Sequence, residues 1–359
     1  TTFVPHLCLV QVALPDELAL VDPLVGLDFG PFHRVLLDPA VLKVVHAGEQ
    51  DLEIFFRATG RIPRPVFDTQ VVAALAGYGD QIGYSNLVEG VCRVKIHKGE
   101  TLSDWARRPL SDEQLRYAYD DVRHLLAVHD ALTSRLAELG RAAWAAEEIA
   151  RLERPDRFEF DPESYRNIRS AWSLDRRALA VLRELVAWRE EEAYSADEPR
   201  GRIARDDGLI GLARRQPTKA RDLKGYRALH RTVIDRCEPD ILAAVARALE
   251  LPEADLPPPV QRPENDAAQS ARVDLLLSLV RSVEMEQKIG PQTLAGRDLL
   301  ASVVADPPAD AAALLARPEW AGWRGEVLAE SLAGILSGRW AVAIAEPGRP
   351  APLALVERR

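Results

Sequence analysis

The chain has 359 residues, 47% hydrophobic and 28% charged, with a formal net charge of −9 at pH 7. This is the composition of two or three folded domains, and it excludes a disordered chain. No apolar run approaches the ~18–20 residues that span a bilayer and no secretory signal is present, so a membrane partner is not expected.

In chain order, residues 3–12 and 17–22 read as two strands joined by a turn at Pro15-Asp16. Residues 28–37 read as a helix and 42–46 as a strand. The strand runs through the small-residue turn His46-Ala47-Gly48 into a second helix with Ile54, Phe55 and Phe56 on one face. Asp51 lies one step inside that helix. Asp68 or Thr69 caps the next helix, 70–76, and after the glycine-rich break 77–83 a short helix covers 84–92. A polar segment, 95–109, carries Lys98, Trp105 and Arg108 and leads to a cap at Ser111-Asp112-Glu113. The helix that follows is expected to run unbroken from Leu115 to Leu139.

The proline-bearing stretch 153–163 is a natural linker, and 252–263, with five prolines, is a second. Helices are expected at 176–192, 206–215 and 226–249, and the region 273–344 is again expected to be helical, with helices at 275–287, 296–304 and 323–337. Between Arg200 and Arg231 the local charge is +7, which leaves −16 for the rest of the chain. Within this basic segment Arg214, Arg215, Lys219 and Lys224 are candidates for phosphate contact. A solvated helical surface explains the same charges equally well.

Asp51 sits at a strand-to-helix junction. Tyr117 and Asp121, four residues apart on one helix, point the same way. A carboxylate from each of two helices, with a phenol beside one, is the raw material of a metal-dependent phosphodiester hydrolase. Each group also has a plainer explanation: Asp51 alone could be a helix N-terminal acid complementing the dipole. Asp120 points elsewhere and reads as a surface acid, and His46 reads as structural.

His46-Ala47-Gly48-Glu49-Gln50-Asp51-Leu52-Glu53 followed by Tyr117-Ala118-Tyr119-Asp120-Asp121 resembles the ribonuclease D branch of the DEDD 3′→5′ exonucleases. Trp105 to Leu110 matches the Trp-x-x-Arg-Pro-Leu that precedes the family's third motif. Residues 183–191 with 212–218 are similar to the helical module called HRDC, and 273–344 looks like a divergent second copy. The resemblance implies a ribonuclease-H-like α/β exonuclease domain over 1–152, followed by all-α HRDC-like domains at 153–251 and 264–345.

The resemblance also implies Asp51, Tyr117 and Asp121 as catalytic residues, with Asp51 and Asp121 holding Mg²⁺ or Mn²⁺, two ions in the complete site, and no small-molecule cofactor. Tyr117 would orient the attacking water, since a phenol with an ordinary pKa of ~10 is a poor base at neutral pH. The implied reaction shortens RNA 3′ ends to nucleoside 5′-monophosphates, with tRNA precursors as substrate class. Lys98, Trp105 and Arg108 would grip the terminal nucleotides; the plainer alternative is that Trp105 and Pro109 only pack the loop against the sheet.

The family's first motif, an Asp-x-Glu on an opening strand, is not found ahead of the strand at residues 5–12. It is expected a few residues before Thr1, and Met285 is the only methionine, so the chain reads as a piece of a longer protein that is itself inactive. The rival reading is a non-catalytic RNA-binding or scaffold protein with a vestigial nuclease fold. DNA as substrate is a lesser rival. Cys8, Cys92 and Cys237 have no paired or metal-ligand spacing and suit the reducing cytoplasm.

Overall fold

A computed structural model describes residues 2–96, 99, 103–224, 226, 228–262, 266–290 and 293–358. The chain forms two compact units. One contains Leu7–Pro155 and Asn265–Arg359, and the other contains Thr1–His6 and Asp156–Glu264.

In the larger unit β1 (Val10–Ala13) and β2 (Leu18–Val21) form an antiparallel hairpin in the register Val10↔Val21 to Ala13↔Leu18. The turn closes where Pro15-Asp16 predicts it, with Leu14 N–H donating to Glu17 O at 2.8 Å. After α1 (Gly30–Leu36), β3 (Lys43–Val45) leads into α2 (Glu49–Thr59). β4 (Val66–Asp68) pairs parallel with β3 and continues directly into α3 (Thr69–Ala76), with Asp68 as N-cap. α4 (Tyr84–Cys92), α5 (Asp112–Arg123), α6 (Leu125–Leu139) and α7 (Ala142–Leu152) complete this part. α5 packs on β1 and β2, and α6 packs on β3.

The helix expected to be unbroken from Leu115 to Leu139 is two helices. His124 adopts φ −104°, ψ 1°, and its N–H donates to the Tyr84 hydroxyl at 3.2 Å. A side chain from α4 thus meets the backbone where the helical ladder is interrupted. The start of α5 follows its local chemistry: Ser111 and Gln114 form a reciprocal capping box.

The smaller unit contains α8 (Arg176–Ala196), α9 (Arg200–Ile203), α10 (Asp206–Arg215), α11 (Ala220–Leu223) and α12 (Arg231–Glu250). α8 packs against α10 and α12 around Leu179, Leu182, Leu185, Leu209, Ile241 and Val245, all fully buried. The Arg177 guanidinium caps the end of α12, donating to Ala248 O and Leu251 O at 3.0 and 2.7 Å.

The remaining elements are α13 (Ala267–Gln287), α14 (Arg297–Ala305), α15 (Ala311–Leu315), α16 (Trp323–Leu336), β5 (Trp340–Ile344) and β6 (Leu353–Glu357). The last helix expected in the region 273–344, 323–337, is α16, and the end of that helical region is a hairpin instead. Gly338 takes a left-handed φ of +78°, and the aromatic and β-branched run that follows pairs with β6 as a hairpin.

These C-terminal helices share one core with the nuclease-side helices. Val72, Leu75, Val128 and Leu132 belong to the same buried cluster as Val280, Leu300, Trp320, Trp323 and Leu328. Arg141, 6% exposed, caps the last turns of two helices at once, donating to Leu75 O at 2.8 Å and Gln287 O at 2.6 Å. Trp144 stacks on Trp323 with ring centroids 4.8 Å apart. Glu148 accepts from the Trp323 indole N–H and pairs with the Arg324 guanidinium, both at 2.8 Å.

Burial works to raise the Glu148 pKa, but its bonds from Arg324 and Trp323 and the Arg324 and Arg151 charges outweigh it and hold the carboxyl below the usual range. A depressed carboxylate pKa contributes stability above the unfolded-state value that is lost as pH falls through the folded one. Glu148→Gln, which strands the Arg324 charge, is expected to lower the unfolding free energy by about 2–3 kcal/mol at pH 7. The gap from wild type should close in acid below a glutamate's ordinary ~4.3. Urea denaturation at both pH values measures it.

Candidate active site

The turn between β3 and α2 places Asp51. Ala47 takes a left-handed φ of +54°, and Gly48 lies so close to Val45 that a Cβ on it would meet Val45 Cγ2 at 2.6 Å. The turn is held from β4. Asp68, 2% exposed, accepts from Ala47 N–H at 3.1 Å and Gly48 N–H at 2.8 Å while capping α3 through Gln70 N–H at 2.8 Å. His46 Nδ1 lies 2.9 Å from Thr69 Oγ1, and the Thr69 hydroxyl donates to Val45 O at 2.9 Å.

Asp51 from α2 and Asp121 from α5 line one cavity of about 500 Å³, together with His46 and Tyr84. The Asp121 carboxyl is pushed up to about 7, chiefly by burial and secondarily by the Asp120 charge. Asp51 keeps an exposed surface, yet desolvation by its surroundings, and then the Asp68 charge, raise its pKa as well. Two carboxylates that both resist ionisation in one cavity are the donor chemistry of a hard-cation site. Among the described residues no group of three or more His, Cys, Asp or Glu side chains is arranged to hold a metal.

Tyr117 lies one helical turn before Asp121 on α5, and its ring is 6.0 Å from that of Trp105. Arg108 is engaged inside the fold. Its Nη2 donates to Asp22 Oδ1 and Cys8 O, both at 2.7 Å, and its Nη1 to Trp105 O at 2.8 Å. Lys98 lies outside the described residues. In the smaller unit Arg214, Arg215, Lys219 and Lys224 are all exposed; Arg214 donates to Ser173 Oγ at 2.6 Å, and Arg215 lies over the Tyr226 ring at 5.0 Å.

Asp120 is half-buried and 3.4 Å from Arg123. Other acids near the motifs have local duties: Glu53 pairs with Arg57 at 2.8 Å, and Asp104 accepts from Ala106 N–H at 3.0 Å. Tyr84, which no sequence spacing connects to Asp121, lines the cavity with its ring 5.4 Å from that of His46. Burial, with Asp121 and Asp120 adding to it, pushes its phenol pKa up.

The fold and its helical unit match one class, a 3′–5′ exonuclease carrying a helical accessory domain. A 3′–5′ exonuclease family model matches residues 1–137, and an HRDC domain model matches residues 178–245. Ribonuclease D of Nitrobacter hamburgensis is 39% identical over 97% of this chain and 90% of its own length. Ribonuclease D of Granulibacter bethesdensis is 38% identical over 94% and 85%. The crystal structure of Escherichia coli RNase D, an exoribonuclease involved in structured RNA processing, superposes with a TM-score of 0.80 at 31% identity, covering 94% of this chain and 90% of that one. The chain belongs to the ribonuclease D family of 3′–5′ exoribonucleases, and the ribonuclease-H-like exonuclease fold followed by an HRDC domain is the family's.

A raised carboxyl pKa stabilises the fold relative to the ionised state only while the group stays protonated. The fold must hold a disfavoured charge once pH rises through about 7. Below an aspartate's ordinary ~3.9 the folded and unfolded chains are both protonated and the difference vanishes. In chelator, Asp121→Asn is therefore expected to raise the melting temperature at pH 8 and leave it unchanged near pH 3.5, as read by calorimetry.

Proposed function

We propose that the cavity lined by Asp51 and Asp121 is where this family's reaction takes place, with Tyr117 as the third participant. The observation that carries this reading is the pair of carboxylates from two helices, both held above the ordinary carboxylate pKa in one cavity. Asp51 and Asp121 would hold Mg²⁺ or Mn²⁺, which when bound neutralises phosphoryl charge and acidifies water. Two carboxylates are too few for two ions, and an Asp-x-Glu strand is the family's source of the others.

The chain's own residues do the rest. The Tyr117 hydroxyl orients the attacking water toward the terminal phosphodiester, and Asp121, one helical turn away, fixes that position relative to the cavity. Trp105, beside the Tyr117 ring, offers a face on which the terminal base can stack. The product is a nucleoside 5′-monophosphate, and the substrate class is structured RNA with a 3′ tail, tRNA precursors among them. The exposed cations Arg214, Arg215, Lys219 and Lys224 bind RNA phosphates. Residues 264–345 are a second HRDC-like module. The cytoplasm is the setting, in keeping with free thiols at all three cysteines.

The test is an exonuclease assay on 3′-labelled RNA with Mg²⁺ or Mn²⁺. It uses the 359-residue chain and the same chain with an Asp-x-Glu strand supplied ahead of Thr1. Hydrolysis is expected in the second form, lost to background in Asp121→Asn and lowered about 10²-fold in Tyr117→Phe. RNA binding without hydrolysis in either form would favour the scaffold reading. Replacing Lys219 and Lys224 by alanine should weaken binding uniformly across sequences. It should also reduce the slope of log K against log salt by about 0.7 for each phosphate that is no longer neutralised, measured by fluorescence anisotropy.

A further inference from the structure

The last turn of α3 leaves carbonyls that the helix itself does not satisfy. Two of them find donors elsewhere in the chain: Gly290 N–H donates to Ala74 O at 3.1 Å, and Arg141 Nη1 to Leu75 O at 2.8 Å. Gly290 lies in the turn that follows α13, and it comes too close to the α3–α4 loop to carry a side chain. A Cβ on it would stand 2.6 Å from Asp80 N and 2.7 Å from Asp80 Cβ, well inside van der Waals contact. Gly77 opens that loop at a left-handed φ of +92°, and a Cβ on it would meet Lys288 O at 3.2 Å. The turn 288–290 thus bears on the loop 77–83 at both Gly77 and Asp80.

The turn is itself held from α13. Ile289 N–H donates to Glu284 O at 2.9 Å, and the Glu284 carboxylate, 2% exposed, accepts from Leu294 N–H at 3.1 Å. At its other end the loop leads to the cavity. Gln70 Nε2 donates to Ile82 O at 3.2 Å and ties the loop to the first turn of α3. Tyr84, the first residue of α4, lines the cavity with Asp121. Its hydroxyl accepts from His124 N–H at 3.2 Å, just beyond the last turn of α5, which carries Asp121.

We infer that Gly290 is a positioning residue for the nuclease cavity. The turn 288–290 seats the α3–α4 loop, the loop sets where Tyr84 enters, and Tyr84 holds the end of α5 that presents Asp121. Glycine is needed because backbone meets backbone at the seat, and any Cβ would push the two segments apart. The catalytic consequence rests on the cavity being the reaction site, whereas the seating itself rests on the contacts alone.

Site-resolved amide hydrogen exchange on the full chain, without metal or RNA, tests the seating. In the unmodified chain the Gly290 and His124 amides are expected to exchange through one opening, with the same free energy and the same dependence on low urea. Gly290→Ala should speed His124 exchange by about tenfold or more while the chain stays folded. Gly296→Ala, in the same segment, adds its Cβ to open space and weakens only the N-cap of α14, so it should leave His124 unchanged. In the form carrying an Asp-x-Glu strand, Gly290→Ala should lower kcat by about tenfold with KM little altered.

Unchanged His124 exchange in Gly290→Ala overturns the inference. An equal rise in Gly296→Ala overturns it too, by making the effect one of general stability. If Gly290→Ala does not fold, separate openings of the Gly290 and His124 amides in the unmodified chain overturn it as well. Faster exchange with kcat unchanged reduces the seat to a structural contact and overturns the positioning role. Absence of hydrolysis before any substitution would sink the catalytic reading of the cavity instead, with the exchange rates still deciding the seating.

Discussion

The buried carboxylate of Asp68 is the interaction on which the site depends. It sits at the end of β4, almost wholly out of solvent, and its oxygens accept from backbone N–H groups on both sides: Ala47 and Gly48 in the turn after β3, and Gln70 and Val71 at the start of α3. Charge-assisted bonds of this kind are stronger than neutral ones, and in a low-dielectric interior none can be lost cheaply. One side chain thus fixes two strand-to-helix junctions relative to each other. The same charge is felt by Asp51 and helps lift its pKa. The residue that builds the turn also sets the electrostatics of the carboxylate the turn presents.

The site's second half is placed by a different device. α5 delivers Tyr117 and Asp121, and its N-terminus is set by local chemistry in the Ser111–Gln114 capping box. Its C-terminus is set by a distant group, the Tyr84 hydroxyl at His124 N–H. A helix whose start is local and whose end is tertiary can be read from sequence at one end only. Periodicity runs straight through His124 because nothing in the neighbouring residues forbids the helix from continuing.

The same division explains what is legible elsewhere. The hairpin turn at Pro15-Asp16, the Asp68 cap and helix 206–215 follow from short-range preferences, and they stand where those preferences put them. The β5–β6 hairpin escapes because a five-residue apolar run such as Trp340–Ile344 fits a strand or a buried helical segment equally until its pairing with β6 is seen. Asp51 and Asp121 are legible as a pair only because two motifs match a family. Neither spacing nor composition relates residues seventy positions apart. Tyr84 carries no signal at all, since its place in the cavity depends on where α4 packs. Arg108 reads as a free cation in a polar loop, whereas the fold turns it back onto Asp22 and onto carbonyls at Cys8, a hundred residues away, and Trp105, close by.

The double cap made by Arg141 has a consequence for how this chain can be divided. One guanidinium closes the last turn of α3, in the nuclease-side segment, and the last turn of α13, in the C-terminal segment. Between those two helices the chain runs through an entire separate helical unit of more than a hundred residues. The boundary of cooperative folding therefore does not follow the order of the chain. The intervening unit is an insertion into a body whose two halves are synthesised far apart in time. During synthesis α6 and α7 can cover α3 early, but the Arg141 bond to the end of α13 and the part of the shared core filled by the C-terminal helices must wait until the last quarter of the chain has emerged.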